Sequence, residues 1–150
     1  MQCSFETDLG PITVTVDDGA VTGLSWGQGD TQDTDPVLRE AARQMRAYFA
    51  GTLTGFDLPL AVRGSEFQKA VCDEMRRIPF GETVTYGDIA QKLNAPPQAV
   101  GQACGGNPIP IVIPCHRVLA ANGLGGFSAR GGIETKVALL RHEGAASLLI

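Results

Sequence analysis

The chain holds only two histidines, His116 and His142, one tryptophan, and no C-x-x-C pair among its four cysteines. Structural zinc sites need several such ligands at set spacings, so no metal is expected. No run of about 18 apolar residues occurs, which excludes a membrane-spanning helix. Met1-Gln2-Cys3-Ser4 opens neither a basic nor an apolar leader, so no secretory signal is expected. Cys3, Cys72, Cys104 and Cys115 then read as free thiols of a cytoplasmic protein. Glycine-rich phosphate loops, dinucleotide fingerprints, internal repeats and low-complexity tracts are all missing. A nucleotide cofactor is therefore not expected.

What remains is a chain of 150 residues, 43% apolar, long enough to bury a core. Its net charge of −4 argues against nucleic acid until the distribution is considered. Residues 1–62 carry three arginines against nine acids, whereas residues 63–150 carry nine Lys/Arg against seven acids. A modestly positive second half can hold DNA locally with weak long-range steering, although ordinary charge scatter gives the same numbers.

Ile12, Val14 and Val16 alternate with threonines, Asp18-Gly19 supplies a tight turn, and Ala20 to Trp26 returns, which predicts paired strands. Pro36 to Ala50 reads as a helix capped by Asp35, with Leu38, Ala42, Met45 and Phe49 on its apolar face. Phe56, Leu58 and Leu60 alternate and predict a further short strand. Residues 1–62 are thus expected to form a small α/β lobe.

In residues 63–150, Ser65-x-x-Gln68 predicts a capping box opening a helix with Phe67, Val71, Met75 and Ile78 inward. Thr85 and Asp88 form a second box, before a short helix that Asn94 breaks. A third helix starts near Pro96-Pro97 and runs to Gly105-Gly106, completing a helix-turn-helix outline. Its outward residues Gln98, Ala99, Gln102 and Ala103 are small or polar, suited to close approach but poor in base-specific readout. Glu134 to His142 is the last helix, with Ile133, Val137 and Leu140 predicted on its buried face.

Between the last two helices lies Ile109-Pro110-Ile111-Val112-Ile113-Pro114-Cys115-His116-Arg117-Val118. The apolar run reads as a stiff buried support presenting Cys115. A reactive cysteine needs its thiol activated, and His116 and Arg117 are adjacent in sequence, with Glu143 available to orient the histidine. On this chemistry alone, nucleophile and packed core thiol remain equal alternatives.

The residues Ile113 to Val118 resemble the active-site motif of the O6-alkylguanine–DNA alkyltransferases, also called methylated-DNA–protein-cysteine methyltransferases. The likeness extends through Phe67-Gln68, Ile78 to Ala90, Asn107-Pro108, Gly125 to Ser128, and Leu139 to Gly144. It implies an RNase H-like α/β lobe over 1–62 and a mainly α domain over 63–150 with a winged-helix-like helix-turn-helix. It implies a monomer that binds double-stranded DNA containing O6-alkylguanine, flips the base, and transfers the alkyl group once to Cys115 without a cofactor. O4-alkylthymine is a further substrate that it allows.

The roles the resemblance implies are these. His116 acts through water as base and Glu143 orients it, while Tyr86 assists flipping and protonates the leaving guanine. Asn107 is a hinge, and Val118 and Ser128 line the base pocket. Gln98, Ala99, Gln102, Ala103 and Arg130 face DNA. Gln98 stands where the family usually carries an arginine, which implies weaker DNA binding or slower flipping. A non-enzymatic lesion binder is the alternative, and such proteins typically carry tryptophan at the Cys115 position.

Overall fold

Three strands open the chain and pair antiparallel in the order β1–β2–β3: β1 Gln2–Thr7, β2 Gly10–Asp17 and β3 Ala20–Trp26. The computed structural model describes residues 1–29, 35–125 and 132–145. It divides into two compact units, Met1–Arg63 and Gly64–Ile150.

In the first unit the alternation works as expected, and Ile12, Val14 and Val16 are all buried. Helix α1 (Pro36–Phe49) packs on this sheet, and Asp35 Oδ1 accepts from the amides of Val37 and Leu38 at 2.7 and 3.3 Å. Its buried stripe contains Leu38, Ala42 and Met45 but closes on Tyr48 rather than Phe49. The strand expected at Phe56–Leu60 is absent. Leu60 makes one parallel bridge to Val21, and the Asp57 backbone is taken by the Gln44 amide through two 2.9 Å bonds. Pro59 has no N–H to extend a ladder, so a single bridge is what remains.

The second unit is built on α2 (Glu66–Arg76), α3 (Tyr86–Leu93), α4 (Pro97–Gly105) and α5 (Ile133–His142). Ser65 caps α2, but only half of the expected box forms. The Gln68 side chain turns away and donates to the Ala103 carbonyl of α4 at 2.8 Å, because that buried acceptor is in reach. The Thr85–Asp88 box is complete: Asp88 N donates to Thr85 Oγ1 at 3.1 Å and Thr85 N to Asp88 Oδ2 at 2.9 Å. Asn94 adopts a left-handed conformation (φ 52°) and turns the chain from α3 into α4. This is the helix-turn-helix that the sequence outlines.

One element was not legible. Two-residue strands β4 (Val84–Thr85) and β5 (Val118–Leu119) pair in parallel, Val84 with Val118 and Thr85 with Leu119. The pair joins the start of α3 to the chain just after Cys115, so Tyr86 and Cys115 are held by one short ladder.

Thr85 is therefore both ladder residue and cap. Thr85→Ala should lower unfolding stability by about 1 kcal/mol, while Thr85→Ser should retain most of it. Urea denaturation followed by circular dichroism measures both variants, and equal losses would show that the cap is not the source.

Candidate active site around Cys115

The segment before Cys115 is stiff, but not because it is extended. Ile109, Ile111 and Ile113 are buried, yet the chain folds into a tight turn with an Ile113 N to Ile109 O bond of 2.9 Å. Ile111 sits at φ +72°, a costly conformation for a β-branched residue, tolerated where surrounding contacts fix it. Asn107 supplies such contacts. Its Nδ2 donates to the Ile113 carbonyl at 2.8 Å, and its Oδ1 accepts from Ile109 N at 3.0 Å. Pro114 then leads into a 3-10 turn, Cys115–Arg117.

All three residues of that turn are buried, with His116 at 0% exposure. The Glu143 carboxylate, at the C-cap of α5, engages both neighbours of the cysteine. Oε2 lies 2.8 Å from His116 Nε2, while Arg117 Nε donates to Oε1 at 2.7 Å and Nη2 to Oε2 at 2.9 Å. Arg117 Nη1 donates to the Ile78 carbonyl at 2.6 Å, anchoring the cluster to the end of α2. Gly81 (φ +84°) belongs to the same anchor, since a Cβ there would stand 3.2 Å from the Glu143 carbonyl oxygen.

With Nε2–H given to the carboxylate, the His116 lone pair is at Nδ1. That nitrogen is buried and has no hydrogen-bond partner among the described residues. Burial holds the His116 pKa below its ordinary value, outweighing the opposing pull of Glu143, so the ring is neutral at pH 7. Cys115 is 7% exposed, and burial pushes its thiol up to about 11, with an Asn107 hydrogen bond and Lys136 offsetting part of the rise. The resting site is thus a neutral thiol beside a neutral imidazole that can accept a proton.

Tyr86 opens α3 and is half-buried, with its phenol pKa raised by burial and then by the nearby thiols Cys104 and Cys115. Gly125 (φ +72°) closes against it: a Cβ at that position would lie 3.0 Å from Tyr86 Cε2 and Oη. Val118 is fully buried, and its carbonyl accepts from Lys136 Nζ at 2.7 Å.

On α4, Gln98 and Gln102 are exposed and Ala99 is partly so, but Ala103 is 6% exposed. It belongs with Val100 and Cys104 to the buried residues of the helix, unlike the three other α4 positions expected at DNA. Ser128 and Arg130 lie outside the described residues.

Lys136 is the residue that periodicity misplaced. The expected inward face of α5 was Ile133, Val137 and Leu140, yet Ile133 is 41% exposed. The buried stripe is instead Lys136, Leu139, Leu140 and Glu143. Two of its positions are ionisable, so an apolar-only reading rotates the face. The readable signal is a Lys and a Glu seven residues apart, flanking Leu139-Leu140.

Comparison with known proteins gives a class for this arrangement. Residues 66–145 match the family described as 6-O-methylguanine DNA methyltransferase, DNA binding domain, and residues 3–62 match its ribonuclease-like domain. The chain belongs to the 6-O-methylguanine DNA methyltransferase family. A methylated-DNA–protein-cysteine methyltransferase of Methanosarcina acetivorans is 41% identical, over 94% of this chain and 96% of the relative. One from Mycobacterium bovis is 42% identical, over 93% and 90%. Among solved structures, Mycobacterium tuberculosis OGT in complex with DNA superposes with a TM-score of 0.85 at 38% identity, covering 99% of both chains. An O6-methylguanine DNA methyltransferase from Methanococcus jannaschii gives 0.70 at 32% identity, covering 94% and 92%.

The depressed His116 pKa has a consequence for stability. In the unfolded chain an ordinary histidine binds its proton at about pH 6.5, before the folded one does. Below that pH the unfolded state binds more protons, so stability should fall as the pH drops from 7 to about 5.5. His116→Gln should flatten this limb, as read from urea midpoints at each pH. An unchanged limb in the variant would assign it to other groups.

Proposed function

We propose that this protein repairs DNA directly, by a single transfer of a methyl or larger alkyl group from O6 of guanine to Cys115. The observation that carries the reading is the Cys115–His116–Glu143 arrangement in a chain of this family: a thiol, an imidazole with its Nδ1 open, and a carboxylate on its Nε2. The target oxygen lies within the duplex, so the base must be extruded before a buried sulfur can reach its alkyl carbon. O4 of thymine is a second, chemically similar donor.

The atoms balance without a cofactor. The Cys115 Sγ–carbon bond forms as the carbon–O6 bond breaks, and the thiol proton ends on the guanine ring. His116 Nδ1 takes that proton through a bridging water as the sulfur attacks. Glu143 fixes the tautomer and stabilises the passing imidazolium. Tyr86 gives its phenol proton to the departing base, which leaves as neutral guanine, and the proton held on His116 restores the phenol through water, so that the one proton lost by sulfur is the net proton gained by the base. Asn107 keeps the Ile109–Ile113 turn in shape, and Val118 lines the base pocket. The thioether product is stable, so each molecule reacts once.

DNA is held by residues 63–150, with α4 against the duplex through Gln98, Ala99 and Gln102 and with Arg130 adding charge. Gln98 fills the space that the flipped base vacates, and offers an amide to the orphaned cytosine where an arginine would offer charge. The working unit is a cytoplasmic monomer on double-stranded DNA.

Incubation with duplex DNA containing O6-methylguanine, followed by intact-mass analysis, tests the transfer. The expected result is a gain of one methyl group that maps to Cys115 and disappears in Cys115→Ser. Retained binding with no gain at long times would instead identify a lesion-binding protein.

Gln98→Arg should tighten DNA binding and speed transfer several-fold at low salt, measured by gel shift and single-turnover mass kinetics. No change, or a loss, would remove Gln98 from the interface.

A further inference from the structure

Lys136 has no part in the scheme above, yet it lies among the groups that the scheme uses. Its side chain runs inward from α5, with the residue 1% exposed, and Nζ donates to the Val118 carbonyl at 2.7 Å. Nζ also stands 5.8 Å from the centroid of the Tyr86 ring. Around it, among the described residues, are Cys104 from α4, Cys115 and His116 from the 3-10 turn, Tyr86 from the start of α3, and the Val118 carbonyl of β5. Burying an ammonium is costly, and an aliphatic side chain would fill the same space more cheaply. Burial brings the Lys136 pKa down to about 8, so the group still carries its proton at neutral pH.

We infer that Lys136 is a positioning residue for alkyl transfer: anchored on the Val118 carbonyl, its ammonium supplies the positive field that favours the anionic form of the Cys115 sulfur as the thiol proton departs. The inference rests on the transfer reaction proposed above. No bond to Nζ forms or breaks. The proton leaves Sγ toward His116 and ends on guanine, and the ammonium lowers the energy of the negative sulfur in between. It acts against the burial that holds the thiol protonated, and inside the protein a fixed charge is screened far less than in water. The Val118 carbonyl matters because it ties the charge to β5, which follows directly on the turn that carries Cys115.

The test reads the thiol itself. The whole chain is labelled with iodoacetamide at pH 7, where Lys136 carries its charge, and the rate of Cys115 labelling is followed by peptide mass. Lys136→Met should slow Cys115 labelling roughly tenfold at that pH, and the two rates should converge toward about pH 10, where the lysine is itself largely neutral. Lys136→Arg keeps the charge and should stay within about threefold of wild type at pH 7. Lys136→Gln can still donate to the Val118 carbonyl without charge, and should slow labelling as the Met variant does. Methyl transfer from O6-methylguanine DNA should fall in Met and Gln and be at least partly retained in Arg.

An unchanged labelling rate at pH 7 in folded Met and Gln variants would overturn the inference even if transfer fell, because a purely structural role leaves the thiolate population where it was. Slowed labelling in variants of a protein whose wild type takes up no methyl group would overturn the transfer reading itself, and with it the role of Lys136 in transfer.

Discussion

The Glu143 carboxylate is the constraint on which the site depends. Both of its oxygens are used, by His116 on one side and by the Arg117 guanidinium across both, and Arg117 passes the connection to the Ile78 carbonyl. Three distant stretches of chain, the end of α2, the 3-10 turn and the end of α5, are thereby tied at one buried point. A buried ion pair of this kind adds little net stability compared with apolar packing, but removing one partner strands a charge and costs about 3–5 kcal/mol. Its value here is geometric. It fixes which nitrogen of His116 carries hydrogen, and therefore which one can take a proton beside Cys115.

That geometry coexists with a thiol held at about pKa 11. At pH 7 such a thiol is protonated, so the proposed transfer needs the proton removed as the sulfur attacks. In that proposal the neutral imidazole and the ammonium of Lys136 act in different ways, one by accepting the proton and the other by stabilising the charge left behind.

How much of this was legible in the sequence follows from the range of the interactions. Caps are local, so Asp35, the Thr85–Asp88 box and Asn94 placed their helix ends correctly. The β4–β5 pair is two residues long and joins segments more than thirty positions apart, leaving no periodic trace. Gln68 matched a capping box by spacing, but a buried carbonyl on another helix competed for its amide and won. The Cys115–His116–Glu143 arrangement was legible only through its motif, because packing brings Glu143 to His116 from 27 positions away. Lys136 was hidden for a different reason: hydrophobic patterning treats a lysine as a surface residue, and here it occupies a core position.

The side proposed to face DNA is built differently. Helix α4 contains no lysine or arginine, and Gly101 and Gly105 leave open space where side chains would stand. Such a helix gains little from phosphate attraction and little from direct base readout, but its backbone can come close to a groove. Close approach makes recognition depend on duplex shape and on how readily a base leaves the stack. On the proposed reading, selection for the lesion falls mainly to the chemistry around Cys115, where an unalkylated guanine has no carbon to give up, and a weakly charged helix suits a protein that examines many intact base pairs before it reacts once.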